Sequence, residues 1–244
     1  MNYATQTTIM KRVQISSDVV GYMFDSSNQG ILPAVLLIHG WTSGQDRFFK
    51  FAEELTALGF VCVTFDMRGH GESEGSLDVL TFEDFEADVL AAYDFLAAQP
   101  QVDPERISVI GSSFGGYQAA LLSAKRNIHK LILRAPADYP DSPGVVKAQV
   151  HGAQDVDVWR QQKRDFSQTA ALRALHNYTG LVLIVESGQD TIVPRQVLQN
   201  YADAVADKSK LTYIVMKGAP HSLKGYPQFL HEFSHIVTDF LKTK

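Results

Sequence analysis

The residues of this sequence that most plainly carry chemistry are Gly111-Ser112-Ser113-Phe114-Gly115, a G-x-S-x-G run. It follows a strand-like stretch, residues 106–110, and opens a helix-like one carrying Tyr117, Ala120 and Leu121. A sharp strand-to-helix turn presents a serine hydroxyl above a sheet, and the flanking glycines relieve the crowding of that turn. Ser113 is therefore the expected nucleophile. The plain alternative is a tight turn that merely wants small residues.

A serine hydroxyl attacks poorly at neutral pH unless an imidazole takes its proton and a carboxylate holds that imidazole in one tautomer. Eight histidines compete for the role. His39 and His70 precede the serine beside glycines, where a structural or polar-network role is expected. His129, His151 and His176 fall at helix ends or in an irregular stretch, and His231 and His235 lie within a later amphipathic run. His221 alone follows the last strand in a loop, Gly218-Ala219-Pro220-His221-Ser222, and is the expected base. Asp190, in Glu186-Ser187-Gly188-Gln189-Asp190 after another strand, is the expected acid, with Asp138 as its competitor. Acyl transfer also needs donors aimed at the developing oxyanion. The backbone amides of Phe114 and of Trp41, which follows His39-Gly40 at a strand end, are the candidates. The Trp41 indole is read either as a wall of the acyl pocket or as an ordinary packed aromatic.

Short apolar runs at residues 34–38, 60–65, 107–110, 130–133, 181–185 and 211–216 read as strands buried on both faces, as in a parallel sheet. Residues 7–15 and 19–24 read as an antiparallel hairpin at its edge. Amphipathic stripes lie between them. Phe48, Phe51, Ala52, Leu55 and Leu58 form one, ended by Gly59, and Thr81 with Asp84 caps another through Phe85, Val89, Ala92 and Leu96. Pro194 opens a third with Val197, Tyr201 and Val205, and Phe229, Phe233, Val237 and Phe240 mark the last. The alternation predicts an α/β fold, a mostly parallel central sheet flanked by helices, as one domain over residues 1–244. Residues 137–177 interrupt it with a polar, irregular stretch holding Pro140, Pro143 and one helix expected around 156–175. A stretch of that length inside a domain is usually a lid or binding element. Asp138, Tyr139, Gln154 and Trp159 are expected to contact substrate there.

Composition excludes several classes. With 244 residues, 45% hydrophobic and 20% charged, the chain is globular rather than disordered. Its 22 basic against 27 acidic residues give no field suited to nucleic acid. Cys62, the sole cysteine, rules out an internal disulfide, a four-cysteine zinc site or an iron–sulfur cluster, and reads as a small core hydrophobe. Neither H-E-x-x-H nor clustered metal ligands occur, and Gly40-Trp41-Thr42-Ser43-Gly44 lacks the Lys-Ser/Thr ending of a phosphate loop. No apolar run approaches the ~18 residues of a membrane span, and residues 1–20 lack the apolar core of a signal peptide. A cytoplasmic protein is expected, with a small-molecule ester as partner and neither nucleic acid nor membrane. Its oligomeric state is left open.

His39-Gly40-Trp41, Asp66-Met67-Arg68-Gly69-His70-Gly71-Glu72-Ser73, Gly111-Ser112-Ser113-Phe114-Gly115-Gly116, Asp190 and His221 together resemble the α/β-hydrolase superfamily, in its order of serine, acid and histidine. The resemblance runs over nearly the whole chain from residue 30. Within the superfamily the pattern is similar to small bacterial serine esterases of the cinnamoyl (feruloyl) type and to the catalytic domains of prolyl-oligopeptidase-like enzymes. It implies Ser113 as nucleophile, His221 as base, Asp190 as acid, Trp41 and Phe114 as oxyanion donors, and no cofactor. It also places residues 137–177 at the superfamily's cap, after the sixth strand and here short. The implied activity is hydrolysis of small carboxylic esters, short acyl or aromatic, through an acyl-serine. An aminopeptidase-like amidase or a thioesterase is the nearest rival, and a non-catalytic binder on the same fold is a rival of another class. Residues 66–68 are expected to hold turn geometry rather than react.

Overall fold

The computed structural model describes residues 8–26, 30–141, 144, 146 and 154–243. Eight strands form one sheet in the order β1-β2-β4-β3-β5-β6-β7-β8. They are β1 (Thr8–Gln14), β2 (Val20–Ser26), β3 (Leu32–Ile38), β4 (Val61–Phe65), β5 (Val102–Ser112), β6 (Lys130–Arg134), β7 (Leu181–Ser187) and β8 (Leu211–Met216). β2 runs antiparallel to both β1 and β4, which makes β1–β2 the expected edge hairpin, and β3 through β8 are parallel. β5 begins earlier than its apolar run because Val102 pairs with Leu32 across a register shift.

Period-two alternation explains why the central strands are apolar throughout. Ala34, Leu36 and Ile38 face one core with α2 (Phe82–Ala97), α3 (Phe114–Leu122), α5 (Ala170–Asn177) and α6 (Arg195–Ala204). Val35 and Leu37 face the other, with α1 (Phe49–Ala57) and α7 (Pro227–Lys242). Cys62 lies in that second core, where burial pushes its thiol up to about 12. The helix ends follow the sequence signals. Thr81 and Asp84 form a capping box at α2, and Gly59 takes φ +94° just past α1.

β6 carries a buried charge at each end. Lys130, 1% exposed, runs its ammonium to the end of α7, donating to the carbonyls of Phe240, Leu241 and Thr243 and to the Thr243 hydroxyl. The Phe240 carbonyl also accepts from the Thr243 amide and hydroxyl, so the cation and this capping residue together close the C-terminus of α7 and fix it on the sheet. Arg134, 6% exposed, ends the strand beside the G-x-S-x-G turn.

The insertion after β6 departs from the single helix expected at 156–175. α4 (Gln154–Arg160) and α5 are separate, with a short 3₁₀ turn, Phe166–Gln168, between them. Asp165 caps that turn by accepting from the Ser167 amide, and Thr169 caps α5 by accepting from the Leu172 amide. Each side-chain oxygen satisfies an orphan amide and so restarts the helix. Among the described residues, no helix is long and apolar enough to cross a membrane.

Candidate functional site

Ser113 sits between the last residue of β5 and the first of α3 with φ 56° and ψ −117°, a strained conformation for a residue with a side chain. Main-chain bonds hold it there. Its amide donates to the Arg134 carbonyl at 2.9 Å, and its carbonyl accepts from the amides of Gly116, Tyr117 and Ala137. The turn is tight enough to require its glycines. A Cβ at Gly111 would lie 2.2 Å from the Gly115 carbonyl oxygen, and one at Gly115 would lie 2.3 Å from that of Ile38.

The hydroxyl of Ser113 lies 3.0 Å from Nε2 of His221, whose Nδ1 lies 2.7 Å from Oδ2 of Asp190. Three strand ends converge to make this chain: Ser113 follows β5, Asp190 follows β7, and His221 follows β8. At β7 the Gly188 amide donates to Met216 and the Gln189 amide to Ala219, tying the Asp190 turn to the His221 loop. Asp190 accepts on its other oxygen from the amides of Ile192 and Val193, at 2.8 and 2.9 Å. Burial works to raise its pKa, but hydrogen bonding to His221, that residue's charge and the two amides win, and the carboxyl is held below its ordinary value. A carboxylate here requires the proton on Nδ1, which leaves the Nε2 lone pair toward Ser113.

His39-Gly40-Trp41 passes directly beside the serine, since a Cβ at Gly40 would lie 3.3 Å from Cβ of Ser113. Nε2 of His39 accepts from the Met67 amide at 3.0 Å, so Nδ1 carries the proton and donates to the Gly40 carbonyl at 2.8 Å. That bond fixes the plane of the peptide bearing the Trp41 N–H. His70 repeats the device one residue on, accepting from the Thr42 amide at 3.2 Å and donating to Arg68. The Trp41 indole packs edge-on against His70, Phe85 and Phe114, as a packed aromatic. The Phe114 amide opens α3, so no carbonyl within the helix accepts from it. Asp66, expected to hold turn geometry, accepts from the amides of Gln45 and Glu72 and from the Gln45 side chain.

Both imidazoles are held neutral. Burial pushes the pKa of His39 and of His70 down, and their mutual repulsion adds to it at His39. The unfolded chain takes up these protons below about pH 6.5, whereas the folded chain resists them until a lower pH. Stability is therefore expected to be complete above pH 6.5 and to fall below it, by about 1.4 kcal/mol per pH unit for each histidine kept neutral. Urea unfolding at pH 7.5, 5.5 and 4.5 measures this. His39→Gln is expected to flatten the dependence, and a slope equal to wild type would remove His39 as a cause.

Of the four residues expected to contact substrate, Asp138 and Tyr139 are buried. Asp138 is 1% exposed, accepting from the Tyr139 amide and the Thr169 hydroxyl, with its own carbonyl bonded by Arg160. Tyr139, 2% exposed, packs among Phe82, Phe114 and Tyr117 under the Arg160 guanidinium. Trp159 is partly exposed, with the Arg164 guanidinium 3.6 Å over its ring, and the Gln154 side chain lies outside the described residues. The sequence reading set Asp138 and Tyr139 against an ester. The structure instead spends both on holding the insertion to the sheet. A groove of about 600 Å³ between α2, α3 and α5, lined by Phe82, Tyr117, Leu121, Glu86 and Arg173 among others, touches none of Ser113, Asp190 and His221.

A sequence profile described as alpha/beta hydrolase fold matches residues 33–183. The chain belongs to that family. An uncharacterized protein of Mycobacterium tuberculosis is 28% identical over 203 residues, which are 83% of this chain and 67% of that one. The mitochondrial palmitoyl-protein thioesterase ABHD10 of Pongo abelii is 30% identical over 115 residues, 45% of this chain but only 36% of its own length. Among solved structures, Est1E of Butyrivibrio proteoclasticus, described with ferulic acid bound, superposes with TM-score 0.75 at 20% identity, covering 96% of this chain and 100% of Est1E. That likeness concerns the fold, and within this α/β-hydrolase the Ser113, His221 and Asp190 side chains meet at the C-terminal edge of the parallel strands, where such sheets bind ligands.

Proposed function

We propose that this α/β-hydrolase is a serine carboxylesterase acting on small carboxylic esters with short or aromatic acyl groups. The observation that carries the reading is the Ser113–His221–Asp190 hydrogen-bonded chain, 3.0 and 2.7 Å long, built on a strained serine. Oγ of Ser113 bonds to the ester carbonyl carbon while its proton passes to Nε2 of His221, and the carbonyl π electrons move onto oxygen. The amides of Trp41 and Phe114 hold that oxyanion. As it collapses, the ester C–O bond breaks and the leaving alcohol takes the proton from His221. Water then attacks the acyl-serine by the same route, releasing the carboxylic acid and restoring the hydroxyl. Protein groups and water supply every step, and the reading calls on no cofactor. In it, residues 137–177 act as a short cap over the pocket, with Trp159 a partly exposed aromatic of that cap.

The partial likeness to a palmitoyl-protein thioesterase favours one second reading, a thioesterase using the same residues. A fluorophosphonate probe and a substrate panel separate these. The probe is expected to label Ser113, and acetyl, butyryl, octanoyl and cinnamoyl esters are expected to turn over faster than the matching thioesters or anilides. A faster thioester series transfers the assignment to the second reading. Absence of label and of turnover across the panel overturns both.

A further inference from the structure

Arg134, which the proposed reaction does not use, hydrogen-bonds all three chain segments that present Ser113, Asp190 and His221, and the inference rests on that reading of the site. Arg134 ends β6, paired with Ser112 on one side and Val185 on the other. Its Nη1 donates to the Ser112 hydroxyl at 3.0 Å, the residue immediately before the nucleophile. Its Nη2 donates to the Ser187 hydroxyl at 2.9 Å, and Ser187 in turn accepts the Asp190 amide through its carbonyl. The same Nη2 donates to the carbonyls of Pro220 and of His221 itself. One planar fork thus spans the serine turn, the acid turn and the histidine loop.

The position is a costly one for a cation. Arg134 is 6% exposed, its Nε has no hydrogen-bond partner among the described residues, and burial lowers its pKa to about 10, offset in part by the charge of Asp190. Among the described residues none of its hydrogen bonds goes to a carboxylate, so it is not held by ion pairing. A methionine would fill the same strand end without those costs. What methionine lacks is the pair of differently directed donors that fix two loop carbonyls and two serine hydroxyls at once.

We infer that Arg134 is a positioning residue: by bonding Ser112, Ser187 and the Pro220–His221 backbone together, it sets the spacing between the Ser113 hydroxyl and the His221 imidazole before substrate arrives. A displacement of about 1 Å at reacting groups costs about 100-fold in rate. The fork therefore acts on the chemical step and leaves substrate binding alone.

The test uses Arg134→Met and Arg134→Lys, with active sites counted by fluorophosphonate titration so that kcat refers to folded, competent protein. Arg134→Met is expected to lose about 100-fold in kcat, with KM within about threefold of wild type and the probe's labelling rate falling in parallel. A purely structural role would lower the titre and leave kcat per titrated site unchanged. Arg134→Lys keeps the charge but offers a single ammonium that cannot reach Ser112 and the histidine loop together, and is expected to lose about tenfold in kcat. If Arg134→Met does not fold, Arg134→Lys decides, and wild-type kcat per site in that variant overturns the inference. A wild-type chain that takes no label removes the hydrolase reading and this inference with it; a labelled wild type with an unimpaired Arg134→Lys removes the inference alone.

Discussion

Ser113→Ala is expected to lose about 10⁶ in kcat and to keep its fold. The hydroxyl's one described contact is the 3.0 Å bond to His221, so the substitution removes the group that would carry the acyl chain and little else. Everything that holds the turn is main-chain: the amide bond to Arg134 and the carbonyl's bonds from Gly116, Tyr117 and Ala137 survive in alanine. Alanine at φ 56° is no more strained than serine, and stability is expected to stay within about 1 kcal/mol of wild type. On the proposed mechanism the remaining rate would come from the Trp41 and Phe114 amides and from binding, which the substitution leaves in place. Ester turnover and urea unfolding on the same preparation check both halves. Hydrolysis within about tenfold of wild type would take Ser113 out of the mechanism.

What the sequence makes legible here is what local chemistry decides. The parallel strands show as continuous apolar runs because both faces are covered, and the G-x-S-x-G turn shows because its glycines answer a main-chain approach of little more than 2 Å. The histidine could be singled out because, of eight, only His221 lies in a loop after the last strand. Long-range polar pairing is not legible in this way. Arg134 reads as the polar end of a strand, and its four acceptors lie as far off as residue 221. Lys130 is similar, since its partners stand at residues 240 to 243. Asp138 reads as a substrate contact from its place in the 137–177 insertion, but nothing local reports that Thr169, 31 positions on, meets its carboxylate. The insertion misled for a different reason: apolar spacing through 156–175 suits one helix, and the restart is set by the caps Asp165 and Thr169. His39 and His70 read as a polar network beside glycines, though the tautomer that aims the Trp41 peptide depends on the Met67 amide, 28 positions away.

The choice between the two aspartates gives the second large effect. Asp190→Asn is expected to cut kcat by about 10⁴, whereas Asp138→Asn leaves it within about threefold. At Asp190 the asparagine oxygen can still accept from the Ile192 and Val193 amides, so the loop keeps its shape. The amide nitrogen then faces Nδ1 of His221 at the former 2.7 Å contact and donates where the carboxylate accepted. His221 is driven to the tautomer with its proton on Nε2, which cannot take the Ser113 proton, and the imidazolium formed in the reaction loses its counter-charge. At Asp138 the situation is opposite. Burial, only partly opposed by hydrogen bonds from Tyr139 and Thr169, pushes its pKa up to about 7, so near neutrality the carboxyl is already partly protonated and an amide is a close replacement. It contacts Thr169 of the insertion and the adjacent backbone, and no described bond joins it to His221. Measuring kcat and KM for both variants at one pH, with unfolding midpoints as a control on folding, separates the two. A collapse of kcat in Asp138→Asn with Asp190→Asn near wild type would move the acid to the end of β6, and with it the geometry proposed for the base.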